Sequence, residues 1–167
     1  MGQDGRSGYV LRNDTPRLFT DGFAVLALGG NRPATLLKVE SLGGESTFEF
    51  LGAKLAAPDR ELAQQQVLPG WPPKGIGADV FDAENVKVQP LKKTYNESGY
   101  EILMGYRLKS DVPAVRTGIR ITYRIGAKTY RAVIPSAFAL CAPGQPDTAC
   151  ADNAYEVAGD GTSRVER

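Results

Sequence analysis

The sequence predicts an all-β chain, an antiparallel β-sandwich of about seven strands with one short helix and one long loop rich in proline and glycine. Apolar and polar residues alternate in short segments, which is the period of half-buried strands. Glycine, proline, asparagine and aspartate separate these segments and favour turns. At 167 residues the chain is also long enough to bury a hydrophobic core without a metal site.

The clearest strand pair is a hairpin around Gly126, because a glycine that opens a two-residue loop suits a type II′ turn. Its register places Tyr123 opposite Tyr130 on a face that we expect to be buried. Arg124 and Thr129 then lie opposite each other on the solvent face. The predicted strands cover residues 22–28, 34–41, 47–55, 86–95 (interrupted at Pro90), 101–108, 119–125 and 128–134.

The rest of the chain divides into one helix, one loop and two ends. Residues 59–66 have helical propensity, with Asp59 as a candidate N-cap. Residues 67–81 form the long loop. We expect a flexible N-terminal segment over residues 1–18, the sandwich over 19–152 and a flexible tail over 153–167. The first residues lack the apolar stretch of a secretory signal. We expect a mature extracytoplasmic fragment, cut downstream of a signal peptide or a membrane anchor; the alternative is a flexible cytosolic terminus.

Composition excludes several functions. The chain has no histidine, which removes histidine-based catalysis and most transition-metal sites. Its net charge of +1 does not indicate nucleic-acid binding, and no apolar run approaches a membrane span. We therefore expect no enzyme, no cofactor and no metal. A pair of catalytic carboxylates is the one enzymatic alternative, with candidates Glu45, Glu49, Asp79, Asp82, Glu84 and Glu101.

The two cysteines, Cys141 and Cys150, are joined by eight residues, most of them turn-forming or small. Such a loop can bring their Cα atoms to disulfide distance, and the spacing is not that of a redox or zinc motif. We predict a disulfide and with it an oxidising compartment. The alternative is two free, buried thiols. Calcium is a second alternative, at the oxygen-rich segments 79–85 and 147–153, although turn formation explains both segments.

Three aromatic residues are candidates for partner contact. Trp71, the only tryptophan, lies in the long loop between Gly70 and Pro72. It either plugs one end of the sandwich or binds a sugar or a protein. Tyr95 and Tyr100 are the next candidates if it binds a partner.

A basic face is the other candidate contact surface. Arg116, Arg120 and Arg124 follow one another at even spacing, and Arg131 and Lys128 lie on the second strand of the hairpin. These residues could bind an acidic protein, a polyanionic wall polymer or lipid headgroups. The alternative is that their stems only cover the sheet.

Several segments together resemble a family. The residues that carry the resemblance are the strand near 22–26, the turn at 32–35, the segments 48–53 and 71–73, and Ile119 to Tyr130 followed by Cys141. They are similar to uncharacterised extracytoplasmic domains of actinobacterial membrane-anchored proteins. The resemblance spans about residues 20 to 145. It implies an immunoglobulin-like sandwich and a chain tethered outside the membrane by a segment absent here. It implies no activity and no catalytic residue.

These observations predict a non-enzymatic, extracytoplasmic binding or scaffolding module of a membrane-anchored or secreted bacterial protein. Its partner would be a protein or a cell-envelope polymer, with no nucleic acid, and with the membrane reached only through the absent segment. The alternative is a carbohydrate-binding module that stacks sugars on Trp71 and on Tyr95 or Tyr100.

Overall fold

The structure is a computed structural model that describes residues 8–28, 30–57, 67–75, 80–90, 99–158 and 164–166. Strands dominate it, and one helix follows the longest of them. The elements in chain order are β1 (Gly8–Val10), β2 (Leu18–Leu26), β3 (Ala34–Leu42), β4 (Phe48–Ala56), β5 (Leu68–Pro69), β6 (Val80–Asp82), β7 (Val86–Val88), β8 (Tyr100–Leu108), β9 (Ala114–Ile125), β10 (Lys128–Leu140), α1 (Asp147–Ala158) and β11 (Arg164–Glu166).

The strands form two sheets that pack against each other. Sheet A has the order β1-β10-β9-β3-β7, and β11 also pairs with β10. Sheet B has the order β5-β2-β8-β4-β6. Every neighbouring pair is antiparallel except β1 and β10, which run parallel. The prediction of a mostly β chain with two packed sheets is confirmed.

The strands outnumber the predicted seven because short segments pair at the sheet edges. The predicted long loop over residues 67–81 contains β5 and the start of β6, and the predicted strand over 86–95 is reduced to β7 within the described residues. The predicted helix over residues 59–66 lies outside the described part of the chain.

Both ends of the chain carry more structure than the flexible segments predicted for them. β1 pairs with β10 through Gly8 to Val10, and β11 pairs with the same strand further towards the hairpin turn. The helix α1 occupies a region assigned partly to the tail. Its start has a physical reason: Asp147 lies in the first turn, where a negative charge is favourable, and the Cys150 amide donates to the Pro146 carbonyl at 3.1 Å.

The hairpin of β9 and β10 has the predicted register. Tyr123 lies opposite Tyr130, and Arg124 lies opposite Thr129. The turn is built as predicted, since Gly126 adopts a φ of 61°, which a type II′ turn requires at that position. The two tyrosines are only half-buried, so the burial expected for them is incomplete.

A β-bulge separates this regular hairpin from the opposite end of the two strands. The register shifts between Pro135 and Phe138, because a proline cannot donate a hydrogen bond to the ladder. Beyond the shift Phe138 pairs with Arg116, and both side chains are fully buried. The bulge therefore turns Arg116 towards the core, whereas Arg120, four residues later in the same strand, is partly exposed.

The core lies between the sheets and is built around aromatic side chains. The Phe138 ring of sheet A lies 4.9 Å from Phe48, 5.1 Å from Tyr106 and 5.8 Å from Phe19, centroid to centroid, and these three belong to sheet B. The Tyr106 hydroxyl donates to Ser41 Oγ at 2.9 Å and so links β8 to β3 across the core. Aromatic packing thus fixes the two sheets to each other.

Candidate functional site

An apolar cleft opens between the two sheets, next to the turn of the hairpin. Its volume is ≈ 410 Å³. Both sheets contribute apolar side chains to its lining, which also includes one tyrosine. β2 and the residues after it supply the wall from sheet B, and β3, β7, β9 and β10 supply the wall from sheet A. The lining residues are Val25, Leu26, Ala27, Leu28, Ala34, Leu36, Val88, Ile121, Tyr123, Ile125, Ala132 and Ile134.

The cleft exists because the apolar face of the hairpin continues towards the turn, beyond the point where the other sheet buries it fully. Ile121 is 1% exposed, but Tyr123 and Ile125, on the same face of β9 and nearer the turn, are only half-buried. The Tyr123 and Tyr130 rings stack at a centroid distance of 5.5 Å. Apolar side chains therefore line an open space at this end of the molecule instead of a closed interior.

The predicted basic face divides between the inside and the outside of sheet A. Arg124 and Arg131 are exposed and Arg120 is half-buried, which agrees with the predicted solvent face. Glu40, which pairs with Arg120 in the register of β3 and β9, lies among them. A hydrogen bond from Lys38 and then the charges of Arg120 and Arg131 lower the pKa of the Glu40 carboxyl. A carboxylate therefore partly neutralises this face.

Two predicted members of the basic face lie elsewhere: Lys128 pairs with Ile125 and so lies on the inner face of the hairpin, and the predicted place of Arg116 on the surface is wrong. Arg116 lies in the core. It is 0% exposed and forms an ion pair with Asp21 of β2, which is 1% exposed. The guanidinium carbon also lies 4.6 Å from the centroid of the Phe138 ring. This ion pair links sheet A to sheet B inside the core and is not available to a partner.

Hydrogen bonds fix the carboxylate of this ion pair. Tyr9 of β1 donates its hydroxyl to Asp21 Oδ1 at 3.1 Å, and the Phe23 amide donates to the same oxygen at 3.2 Å. Ser136 Oγ accepts from Arg116 Nη2 at 3.4 Å. Within the described residues, Nε and Nη1 of Arg116 have no hydrogen-bond partner. The carboxylate is thus better satisfied than the guanidinium.

Burial controls the ionisation of these groups. It raises the pKa of Asp21, and the charge of Arg116 opposes that rise. Burial also raises the pKa of Tyr106 to about 12 and that of Tyr9 further still. Both tyrosines therefore keep their protons, and Tyr9 stays a hydrogen-bond donor to Asp21, at neutral pH.

Trp71 rests on the outer face of sheet B and does not plug an end of the sandwich, which was one of the two alternatives for it. A Cβ atom added to Gly105 of β8 would lie 2.2 Å from Trp71 Cδ2, and one added to Gly52 of β4 would lie 3.7 Å from Trp71 Cζ2. The indole therefore lies against two glycines that leave room for it. It is half-buried there, so part of the ring surface faces solvent.

Replacing Gly105 by alanine should displace the Trp71 ring. Gly105 has no positive φ, so the added methyl group acts only by its contact with the indole. We expect the free energy of unfolding to fall by about 1–3 kcal/mol and the fluorescence of Trp71, the only tryptophan, to shift to longer wavelength. Urea unfolding followed by circular dichroism, with emission spectra of the folded protein, measures both effects.

The double variant Gly105→Ala/Trp71→Ala provides the control. Because the methyl group has no ring to meet, the alanine at 105 should cost much less in this background than alone. An unchanged emission spectrum and unchanged stability for Gly105→Ala alone would show that the indole does not lie on this glycine.

The other predicted aromatic contacts do not join Trp71. Tyr100 begins β8 on the inner side of sheet B, packs against the hydrophobic core and accepts a hydrogen bond from the Gln89 amide at 3.2 Å. Gly105, under the indole, is five residues later in the same regular strand and therefore on its opposite face. Trp71 and Tyr100 do not form one sugar-stacking platform. Tyr95 lies outside the described residues.

The predicted disulfide is present. Cys141 follows β10, Cys150 lies in α1, and their Cα atoms are 5.8 Å apart. Cys150 is 5% exposed and packs with Ala139, Val10 and Val115. The bond therefore joins the first turns of α1 to the end of the longest strand.

Two of the predicted catalytic carboxylates are paired with cations, and a third is buried. These segments contain no group of three or more histidine, cysteine, aspartate or glutamate side chains placed to hold a metal ion. Among the proposed catalytic carboxylates, Asp82 pairs with Lys54 at 2.7 Å and Glu49 pairs with Arg107 at 2.9 Å. Glu101 is buried, and Asp79 lies outside the described residues.

Within the described residues no helix is long and apolar enough to cross a membrane.

Comparison of the chain with protein-family models, with curated proteins and with solved structures gave no match. The function must therefore be inferred from the cleft and its surroundings.

Sequence reasoning missed the cleft. Its residues read as core positions of separate strands, and only their placement around a common space makes them a site. One signal was available in the hairpin, where the apolar face of alternating residues continues up to the turn at Gly126.

Proposed function

We propose that this protein is a non-enzymatic binding module and that its ligand places an apolar chain in the cleft between the sheets. The single observation that supports this function is the open space of ≈ 410 Å³ lined almost entirely by apolar side chains. Ligand sites typically have volumes of about 300–1,000 Å³ and mostly apolar walls. Binding of an apolar ligand to such a surface is favourable, because it removes apolar area from water.

The dependence of binding affinity on the length of an alkyl chain tests this proposal. A chain that enters the cleft should gain about 0.8 kcal/mol for each methylene group that becomes buried, which is about a fourfold increase in affinity. Isothermal titration calorimetry with hexanol, octanol and decanol should show this increase with chain length. Ala132→Trp, which places an indole in the cleft, should reduce all three affinities.

Two outcomes would contradict the proposal. One is no binding of any alkanol, and the other is binding unaffected by Ala132→Trp in a variant that still unfolds cooperatively. In a parallel glycan array, a sugar bound by the wild type and lost in Trp71→Ala would favour the carbohydrate-binding alternative instead.

We further propose that the sandwich is immunoglobulin-like. The order β2-β8-β4 in one sheet and β3-β9-β10 in the other corresponds to strands B-E-D and C-F-G of an immunoglobulin domain, with β5, β6 and β7 inserted between strands D and E. Under this correspondence the Asp21–Arg116 ion pair joins strands B and F. In antibody domains a disulfide joins the same two strands.

An extracytoplasmic location is the third part of the proposal. The Cys141–Cys150 disulfide supports it, because such bonds form and persist mainly in oxidising compartments. Alkylation of the natural protein without a reductant, followed by mass spectrometry, tests the location. Resistance of both cysteines to the reagent is expected, and modification of both would contradict it.

A further inference from the structure

We infer that the ligand of the cleft is an anionic amphiphile with a single alkyl chain. The alkyl chain would lie along the apolar lining of the cleft. The charged headgroup would lie at the mouth, the end of the cleft next to the hairpin turn, between Arg32 and Lys128. This inference rests on the proposed function and adds the chemical class of the ligand. Three observations support it: the position of each of the two cations and the absence of acidic residues from the main walls.

Lys128 faces the cleft because of the strand register. It pairs with Ile125, and paired residues in adjacent strands lie on the same face of a sheet. Ile125 lines the cleft. Lys128 is exposed and lies two residues nearer the hairpin turn than Tyr130, whose ring stacks on Tyr123.

Arg32 lies at the same end, beside the hairpin turn. It lies between the lining residues Leu28 and Ala34, and its Nη2 atom lies 2.8 Å from where a Cβ atom on Gly126 would be. The guanidinium is therefore beside Gly126 in the hairpin turn, and Lys128 follows this glycine by two residues. Within the described residues neither cation forms an ion pair with a carboxylate.

The two main walls contain no opposing charge. Residues 25–36 and 119–134 contain arginine and lysine but no aspartate or glutamate. An apolar lining whose two main walls carry only basic charge favours a ligand that is apolar along its length and negative at one end, and it disfavours a cationic headgroup. Carboxylate, sulfate and phosphate headgroups all satisfy this requirement.

Three ligands with the same chain and different headgroups test the inference. We expect decyl phosphate to bind more tightly than decanol, and decyltrimethylammonium to bind more weakly than decanol, all below their micellar concentrations. In Arg32→Gln/Lys128→Gln, the affinity for decyl phosphate should fall by about 3–10-fold, the effect of two exposed charge contacts. The affinity for decanol should stay the same, and inorganic phosphate should not compete in the wild type.

Arg120→Gln/Arg131→Gln is the matched control, because it removes two charges from the outer face of the same hairpin. It should leave the headgroup preference unchanged. Equal binding of all three ligands would overturn the anionic assignment and leave the apolar site in place, whereas failure of all three would overturn the proposed function as well. Binding to anionic vesicles without binding of monomeric decyl phosphate would overturn this inference in favour of a membrane surface.

Discussion

Replacement of Arg116 by methionine should lower the free energy of unfolding by about 3–5 kcal/mol, the cost of leaving one partner of a buried ion pair unpaired. The remaining partner is Asp21, which is 1% exposed and lies between the two sheets. The variant also loses the contact of the guanidinium with the Phe138 ring. Chemical denaturation at neutral pH measures the effect.

A double-mutant cycle separates the ion pair from simple packing. Asp21→Asn/Arg116→Met removes both charges, and its stability should lie well above the sum of the two single losses. Arg124→Met is the matched control, because this exposed arginine of the same strand should change stability by less than about 0.5 kcal/mol. Additive losses in the cycle would contradict the pairing of Asp21 with Arg116.

The pH dependence of the Arg116→Met loss provides an independent check. Because the folded-state pKa of Asp21 is raised, its folded form binds a proton more readily than the unfolded form, whose value is near 3.8. The contribution of Asp21 to stability is therefore present below pH 3.8 and is lost as the pH rises through the folded pKa. Without Arg116 the raised pKa moves further upward. The loss caused by the substitution should therefore be smaller in acid than at neutral pH.

Removal of the disulfide should have the next largest effect. In Cys141→Ser/Cys150→Ser the ten-residue loop is no longer closed in the unfolded chain, which costs about 2–3 kcal/mol in the chain-entropy model. The contacts of α1 with β1, β9 and β10 should weaken at the same time. Denaturation measures the loss, and hydrogen exchange of residues 147–158 shows whether the helix opens.

Reduction of the wild type without substitution is the control for the serine variant. It should cause the same loss of stability, because it removes the same covalent constraint. Unchanged stability together with rapid exchange of α1 would show instead that the helix opens independently of the sandwich.

The sequence predicted local features well where one turn decided them. Gly126 selects the hairpin turn, the turn selects the register, and the register places Tyr123 opposite Tyr130. Alternation along the strands likewise predicted Arg124 and Arg131 on the solvent face. The disulfide followed from the short, turn-rich loop between the cysteines.

Features decided by tertiary contacts were not predictable in this way. Continued alternation would place Arg116 with Arg120 and Arg124, but the bulge at Pro135 turns it inward. Pro135 is a visible warning in the sequence, although it does not say which residue of the partner strand changes direction. In the sequence, Gly105 only suggests a weak position in a strand. In the structure, the indole of Trp71 lies against it.

The cleft depends on a relation between elements far apart in sequence. β9 and β10 have 12 and 13 residues, whereas the strands of sheet B have at most nine. No single segment shows that the inner face of a long hairpin is covered incompletely. Only the packing of the two sheets shows it.

The most direct test is a methyl-resolved NMR titration of the folded protein with decyl phosphate. We expect shift changes and ligand contacts for the methyl groups of Leu28, Ile121, Ile125 and Ile134, which line the cleft, and none for Leu103, which is fully buried in β8 and does not line it. Changes confined to the surroundings of Trp71 or to the outer face of sheet A, with the cleft methyl groups unaffected, would contradict binding between the sheets.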